Sequence, residues 1–120
     1  MANLLVVDDD PTSMMMISKM LESEGHTVLT ANDGKEAIAV LKANSDIKVV
    51  ITDMVMPNID GKTLIICLKR LYPQIKVIVV TGAQAGDSKS YLEIARKMGA
   101  CKAFSKPIDK RLAMAVNDAV

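Results

Sequence analysis

Short aliphatic runs alternate along the chain with longer segments in which apolar residues recur every three or four positions. The clearest run begins at Lys48, is rich in valine and isoleucine, and ends at Asp53, before a loop that contains Pro57 and Asp60-Gly61. Such a run, bounded by turn residues, is typical of a strand buried on both faces of a parallel sheet. Similar runs at residues 4–7, 26–31, 75–80 and 101–105 predict four more strands.

The first helical segment is bounded by residues that favour helix ends. Asp10 is suited to the N-cap, Pro11 to the first helical position, and Gly25 to the end of the segment. Its apolar stripe consists of Met14, Ile17 and Leu21. We interpret the three successive methionines at 14–16 as packing residues of the core and its rim.

The other four helices show similar signals. Asp33 and Glu36 have the spacing of a capping box at the start of the second helix. Asp87 is a candidate cap of the fourth helix, and Gly99 is suited to its end. The third helix is predicted over residues 61–71, and the fifth from about residue 109 to the end. The expected apolar stripes are Ile38 and Leu41 in the second helix, Leu64, Leu68 and Leu71 in the third, Tyr91, Ala95 and Met98 in the fourth, and Leu112, Ala115 and Val116 in the fifth.

Five strands that alternate with five helices indicate a parallel sheet, because right-handed crossovers place each helix on a face of the sheet. The pattern therefore predicts a doubly wound α/β fold with helices on both faces. A chain of 120 residues corresponds to one ordinary domain that can bury a substantial core. We expect one domain over residues 1–120.

Composition and motifs argue against nucleic acids and nucleotides as ligands. The 15 basic and 14 acidic residues are scattered along the chain and give a formal net charge of +1, so no basic stripe is available for phosphates. Tryptophan is absent and other aromatic residues are few, which leaves little for base stacking. No glycine-rich phosphate loop follows the first strand, where nucleotide-binding α/β folds have it.

The chain also lacks signals for a membrane or for secretion. Its longest apolar stretches, such as residues 77–80, are far shorter than the roughly 18 residues of a membrane span, and no signal-peptide pattern is present. We expect a cytoplasmic protein without membrane insertion. Cys67 and Cys101 have no metal-site spacing, and we interpret both as reduced, buried, small apolar residues.

Polar side chains stand at the predicted ends of four strands. The first strand ends at Asp8 and Asp9, the third at Asp53, the fourth at Thr81 and the fifth at Lys106. In open α/β sheets the carboxyl ends of the strands border the crevice where ligands bind. We therefore expect these five residues to converge at one edge of the sheet.

Three carboxylates at one place need a cation, since each pair repels by about 4 kcal/mol at 4 Å and an effective dielectric constant of 20. Mg²⁺, which prefers oxygen ligands, is one such cation, and Lys106 supplies another. An ionised aspartate beside these cations can attack phosphorus while they stabilise charge on the transferring group. The pattern thus favours Asp53 as a phosphoryl acceptor, with the Thr81 hydroxyl donating to a phosphoryl oxygen.

With these residues the chain resembles the response-regulator receiver domains of two-component signalling, of the stand-alone type known from bacterial chemotaxis. The resemblance covers essentially all 120 residues. Four motifs, in the family's order and strand positions, are Val6-Val7-Asp8-Asp9, Thr52-Asp53-Met54-Val55-Met56-Pro57 with Asp60-Gly61, Val79-Val80-Thr81-Gly82 and Ser105-Lys106-Pro107. The resemblance implies a flavodoxin-like sheet with the strand order 2-1-3-4-5.

The resemblance also implies a role for each matched residue. Asp53 becomes the phosphoacceptor, Asp9 a direct Mg²⁺ ligand and Asp8 a ligand through water, while Val55 contributes only its backbone carbonyl to the metal. Thr81 becomes the switch hydroxyl. Lys106 pairs with the phosphoryl group and with Asp53, and it precedes a peptide bond to Pro107 that is typically cis in the family.

The function implied is that of a self-catalysed phosphoacceptor rather than a turnover enzyme. A sensor histidine kinase or a histidine phosphotransfer protein would donate the phosphoryl group. The signal would then leave either through a downstream protein target that binds the surface of helix four, strand five and helix five, or by onward transfer of the phosphoryl group. We expect a monomer or weak dimer. The alternative is a pseudo-receiver that binds proteins without phosphorylation. A phosphate-ester hydrolase is disfavoured because Val55 stands where a general acid is needed.

Three positions depart from the usual family pattern. Ala103 stands where many receivers have a switching aromatic residue, and Phe104 should point to the opposite side of the strand. Val55 and Ala83 replace polar residues that influence how water reaches the phosphoryl group, so we expect slow spontaneous dephosphorylation.

We also interpret Asp10 as a helix cap rather than a metal ligand, and His26 as a surface or turn histidine.

Overall fold

A computed structural model describes residues 2–54, 61–82 and 88–120, without the side chains of residues 61 and 88–91. The strands are β1 (Asn3–Val7), β2 (Thr27–Ala31), β3 (Ile47–Thr52), β4 (Lys76–Thr81) and β5 (Lys102–Ser105). The helices are α1 (Pro11–Ser23), α2 (Gly34–Ala43), α3 (Gly61–Leu71), α4 (Ser88–Lys97) and α5 (Lys110–Ala119). No helix among the described ranges is long and apolar enough to cross a membrane.

All five strands pair in parallel, in the order β2-β1-β3-β4-β5. The predicted fold and strand order are therefore confirmed. Because the strands are parallel, β1, β3, β4 and β5 end at the same edge of the sheet. Val7 is level with Thr52, and Thr81 is level with Ser105, so the residues that follow these strands lie beside one another.

Side chains that alternate along the central strands form two hydrophobic cores, one on each face of the sheet. Along β3, Val50 belongs to the core under α2, α3 and α4, whereas Val49 and Ile51 belong to the core under α1 and α5. Ala103 and Phe104 separate in the same way between the first core and the second. The predicted opposite orientation of Ala103 and Phe104 is thus confirmed.

Several helix ends form as the sequence predicts. The Asp10 side chain accepts a hydrogen bond from the Thr12 backbone N–H, and the Asp33 side chain accepts one from Glu36 N–H. Gly99 follows α4 with a φ of 111°, a conformation that residues with a Cβ adopt at a cost. Asp87 lies outside the described residues.

Some predicted environments were wrong. Leu71 is 59% exposed, because Ile65 rather than Leu71 completes the buried stripe of α3 with Leu64 and Leu68. Met15 and Met16 are exposed, and of the three methionines only Met14 packs against the core. The two cysteines are free thiols, but Cys67 is only half-buried and Cys101 is exposed. β5 begins one residue after Cys101, so its thiol lies outside the strand that was expected to bury it.

His26 directly follows the turn after α1, but it is not a surface residue, since it is only 6% exposed. Its Nδ1 accepts a hydrogen bond from the Ala2 backbone N–H at 3.2 Å, so its Nε2 carries the proton and donates to Asn117 Oδ1 at 2.7 Å. The Asn117 amide in turn donates to Glu24 at 2.9 Å. This network joins the end of α5 to the turn before β2, and it could not be inferred from residues 91 positions apart in the sequence.

Candidate functional site

The backbone at the ends of β1 and β3 extends the sheet by one residue and fixes two acids side by side. Asp8 N–H donates to Ala31 O at 3.1 Å, and Asp53 N–H donates to Val7 O at 3.0 Å. Each residue is therefore hydrogen-bonded to the neighbouring strand at the point where the chain leaves the sheet. Their side chains are buried, with residue exposures of 2% for Asp8 and 8% for Asp53.

Asp9 completes a cluster of three carboxylates. One carboxylate oxygen from each of Asp8, Asp9 and Asp53 lies within 4.8 Å of the other two. Asp8 Oδ1 accepts a hydrogen bond from the Asp10 backbone N–H at 2.9 Å. Asp9 is exposed at the rim, so the cluster is open to solvent on one side.

Lys106 is the cation that faces this cluster. Its Nζ lies 3.0 Å from Asp8 Oδ2 and 3.1 Å from Asp53 Oδ2, and its own side chain is 17% exposed. The Lys106 backbone N–H donates to Thr81 O at 2.8 Å, which joins the ends of β4 and β5. The bond from Lys106 to Pro107 is cis, as the resemblance implied.

Burial and charge shift the titration of two of these groups. Burial raises the pKa of the Asp8 carboxyl above its ordinary value, although the Asp10 N–H and the Lys106 ammonium oppose the shift. Burial alone would lower the pKa of Lys106, but the hydrogen bonds and charges of Asp8 and Asp53 raise it overall. Lys106 therefore stays protonated at neutral pH, and ionised Asp8 is held at an energetic cost.

Thr81 presents a buried hydroxyl to the same edge. It is fully buried, and its Oγ1 has no hydrogen-bond partner among the described residues. Buried hydroxyls are normally hydrogen-bonded, so an orphaned one points to a group that arrives during function. An acidic cluster with a lysine and a free hydroxyl fits both a divalent cation and a phosphoryl group.

The structure thus brings together Asp8, Asp9, Asp53 and Lys106, and joins Thr81 to Lys106 through the backbone. Val55 and Ala83 lie outside the described residues. Asp10 is the N-cap of α1. No role in the site was predicted for Thr52, because a threonine at the end of a strand has no distinctive sequence signature. Its buried hydroxyl donates to the Asp53 carbonyl oxygen at 2.9 Å.

The molecule is therefore a doubly wound α/β protein with a lysine and three carboxylates at the carboxyl edge of its parallel sheet. The family model of the response regulator receiver domain matches residues 4–117. The chain therefore belongs to the response regulator receiver domain family of two-component signalling. Receiver domains are generally phosphoacceptors rather than turnover enzymes, and they typically bind Mg²⁺ at an acidic pocket.

Individual relatives agree with this assignment. The chain is 35% identical over 120 residues to the transcriptional regulatory protein GlrR of Escherichia coli K12, covering 99% of this chain but only 26% of GlrR. It is 33% identical to protein PilH of Pseudomonas aeruginosa, over 100% of this chain and 98% of PilH. A response regulator receiver domain protein from Clostridium thermocellum has a similar structure, with a TM-score of 0.90, 35% identity, and coverage of 99% and 94% of the two chains.

Proposed function

We propose that this receiver domain, spanning residues 1–120, accepts a phosphoryl group on Asp53. One observation carries the proposal: Lys106 Nζ bridges Asp8 and Asp53 at 3.0 and 3.1 Å within a cluster of three carboxylates. Such an arrangement holds an ionised oxygen of Asp53 beside a fixed cation. It supplies both a nucleophile and charge stabilisation for the phosphoryl group.

The acid cluster is suited to hold Mg²⁺. Asp9 would bind the ion directly, Asp8 through water, Asp53 through its carboxylate and Val55 through its backbone carbonyl. When bound, the ion supplies positive charge that neutralises phosphoryl oxygens. Burial raises the pKa of the Asp8 carboxyl, so a second cation beside it also relieves the cost of keeping it ionised.

Transfer of the phosphoryl group from the donor to Asp53 needs no further reactant. An Asp53 carboxylate oxygen forms a bond to phosphorus while the bond from phosphorus to the histidine nitrogen of the donor breaks, and that nitrogen retains the electron pair. Lys106 donates to the transferring phosphoryl oxygens and lowers the energy of the charge they carry. The donor is a sensor histidine kinase or a histidine phosphotransfer protein.

The buried Thr81 hydroxyl is the element that reports phosphorylation. A phosphoryl oxygen on Asp53 offers Thr81 Oγ1 the acceptor it lacks among the described residues. Movement of Thr81 displaces the backbone that follows β4, and the surface formed by α4, β5 and α5 then binds a downstream protein. Ala103, in β5, is small and buried, so the change at Thr81 reaches the binding surface without the rotation of an aromatic ring at position 103.

Phosphoryl lifetime should be long, because neither Val55 nor Ala83 can orient an attacking water through its side chain. Val55→Asn and Ala83→Glu are expected to shorten the lifetime of the acyl phosphate, measured by its decay after removal of the donor. A parent protein that loses phosphate faster than both variants would contradict this expectation.

The proposal further places the domain in the cytoplasm, as a monomer or weak dimer without direct contact with nucleic acid. Its donor and its target are both proteins. The charge balance of +1 and the few aromatic residues support protein partners over nucleic acids.

The direct test uses acetyl phosphate as a small donor. The parent protein and its Asp53→Asn variant are incubated with acetyl phosphate, with and without Mg²⁺, and their intact masses are compared. We expect one added phosphoryl mass on the parent with Mg²⁺, and none on the variant. Labelling of the variant, or no labelling of the parent, would refute the acceptor role. Only the second result, no labelling of the parent, would also favour a protein-binding pseudo-receiver.

A further inference from the structure

Thr52 is a buried polar residue next to the acceptor Asp53, and the proposed phosphoryl transfer assigns it no role. It is 1% exposed and is the last residue of β3. On its face of the strand the preceding residue is Val50, which is fully buried in the aliphatic core. Packing and strand propensity alone would favour valine here, because a buried hydroxyl is costly unless it is hydrogen-bonded.

The Thr52 hydroxyl acts on the acceptor's own backbone. Its Oγ1 donates to the carbonyl oxygen of Asp53 at 2.9 Å, while the Asp53 N–H donates to Val7 O at 3.0 Å. The backbone of Asp53 is therefore held on both sides of its Cα, once by the neighbouring strand and once by Thr52. Fixing both peptide groups limits the directions in which the Asp53 side chain can leave the backbone.

The same bond fixes the start of the loop that follows. A trans peptide is planar, so the orientation of the Asp53 carbonyl sets the orientation of the peptide group that leads to Met54. The Met54 side chain is 1% exposed and packs in the core under α2, α3 and α4. Thr52 and Met54 thus fix the backbone on both sides of Asp53.

We propose that Thr52 is a positioning residue for phosphoryl acceptance. This inference rests on the proposed function of Asp53 as the acceptor. Its hydroxyl aligns the Asp53 carboxylate with Lys106 and with the other carboxylates of the cluster. The hydroxyl does not touch the reacting atoms; it acts through the carbonyl of Asp53.

Two substitutions separate the hydroxyl from the shape of the side chain. Thr52→Val keeps the branched shape and removes the hydroxyl, whereas Thr52→Ser keeps the hydroxyl and removes a methyl group. Loss of one buried hydrogen bond corresponds to about a five- to tenfold effect. We expect Thr52→Val to slow phosphorylation by acetyl phosphate and to weaken Mg²⁺ binding, measured by calorimetry, each by about that factor, while Thr52→Ser stays within about twofold of the parent.

Val50→Ala provides the matched control for a purely structural role. It lies on the same strand and face and removes core volume, so it should lower the melting temperature without changing Mg²⁺ affinity or the phosphorylation rate. Equal rates and affinities in the parent and Thr52→Val would overturn the inference, as would parallel losses in Val50→Ala and Thr52→Val. A parent that is never phosphorylated would instead refute the proposed function itself.

Discussion

At the scale of single residues, Lys106 is the cation that keeps two buried carboxylates together. Asp8 and Asp53 both lie within 3.1 Å of its ammonium group, and without it their charges would face each other in a partly dehydrated site. The raised pKa of Lys106 means that its stabilising contribution is complete below its ordinary pKa of 10.5 and is lost as the pH rises through the higher folded value. The site is therefore intact throughout the physiological range.

Asp8 has the opposite effect on stability, and this leads to a pH-dependent prediction. Its pKa is raised in the folded state, so the folded protein binds more protons and loses stability as the pH rises above the ordinary value of 3.8. In metal-free buffer at pH 7, Asp8→Asn should raise the melting temperature. The gain should shrink as the pH is lowered toward 4, measured by thermal unfolding across pH.

Asp46→Asn is a suitable control for this experiment, because Asp46 is exposed and lies before β3, at the opposite edge of the sheet. It should leave the melting temperature nearly unchanged at every pH. A lower melting temperature for Asp8→Asn at pH 7 would mean that the ion pair with Lys106 outweighs the cost of burying the Asp8 charge.

At the scale of helices and strands, local signals predicted most of the elements. Asp10 and Asp33 cap the helices that their spacing indicated, and Gly99 ends α4 with a positive φ. The periodic pattern failed at Leu71 because a helical stripe alone does not determine how far its last turn extends beyond the core. The burial of His26 could not be predicted from its sequence neighbours, because its partner Asn117 belongs to a distant helix.

The connection between α5 and the turn before β2 yields a second prediction. Asn117→Ala removes the acceptor of His26 Nε2–H, a part-buried hydrogen bond whose acceptor residue is exposed, so water can replace it in part. We expect it to lower the free energy of unfolding by about 0.5–1.5 kcal/mol, measured by urea denaturation. The neighbouring Asp118→Ala, at an exposed position, should change it by less than about 0.5 kcal/mol. Equal effects of the two substitutions would argue against the network.

At the scale of the whole molecule, the arrangement of strands converts scattered residues into one site. Asp8, Asp53 and Lys106 were predictable from the sequence because each follows a recognisable aliphatic strand, and parallel pairing brings such ends together. The part played by Thr52 was not predictable, since only the backbone geometry after β3 aims its hydroxyl at the Asp53 carbonyl. That the Thr81 hydroxyl has no hydrogen-bond partner within the described part of the chain likewise became visible only in the structure.

Metal binding should be visible in the stability of the whole domain. A ligand that binds only the folded state at ten times its dissociation constant adds about 1.4 kcal/mol. Mg²⁺ should therefore raise the melting temperature of the parent, and chelation with EDTA should reverse the rise. Asp9→Asn should abolish the effect, whereas Asp46→Asn should retain it. A shift of equal size in Asp9→Asn would place the ion elsewhere.

The central claim is that Asp53 carries the phosphoryl group, and the most direct measurement locates the modified residue. Acyl phosphates are reduced by borohydride, which converts a phosphorylated aspartate to homoserine. After treatment with acetyl phosphate and Mg²⁺, trypsin should release a peptide of residues 49–62 that contains both Asp53 and Asp60. We expect homoserine at position 53 alone; homoserine at position 60, or at neither position, would show that Asp53 is not the acceptor.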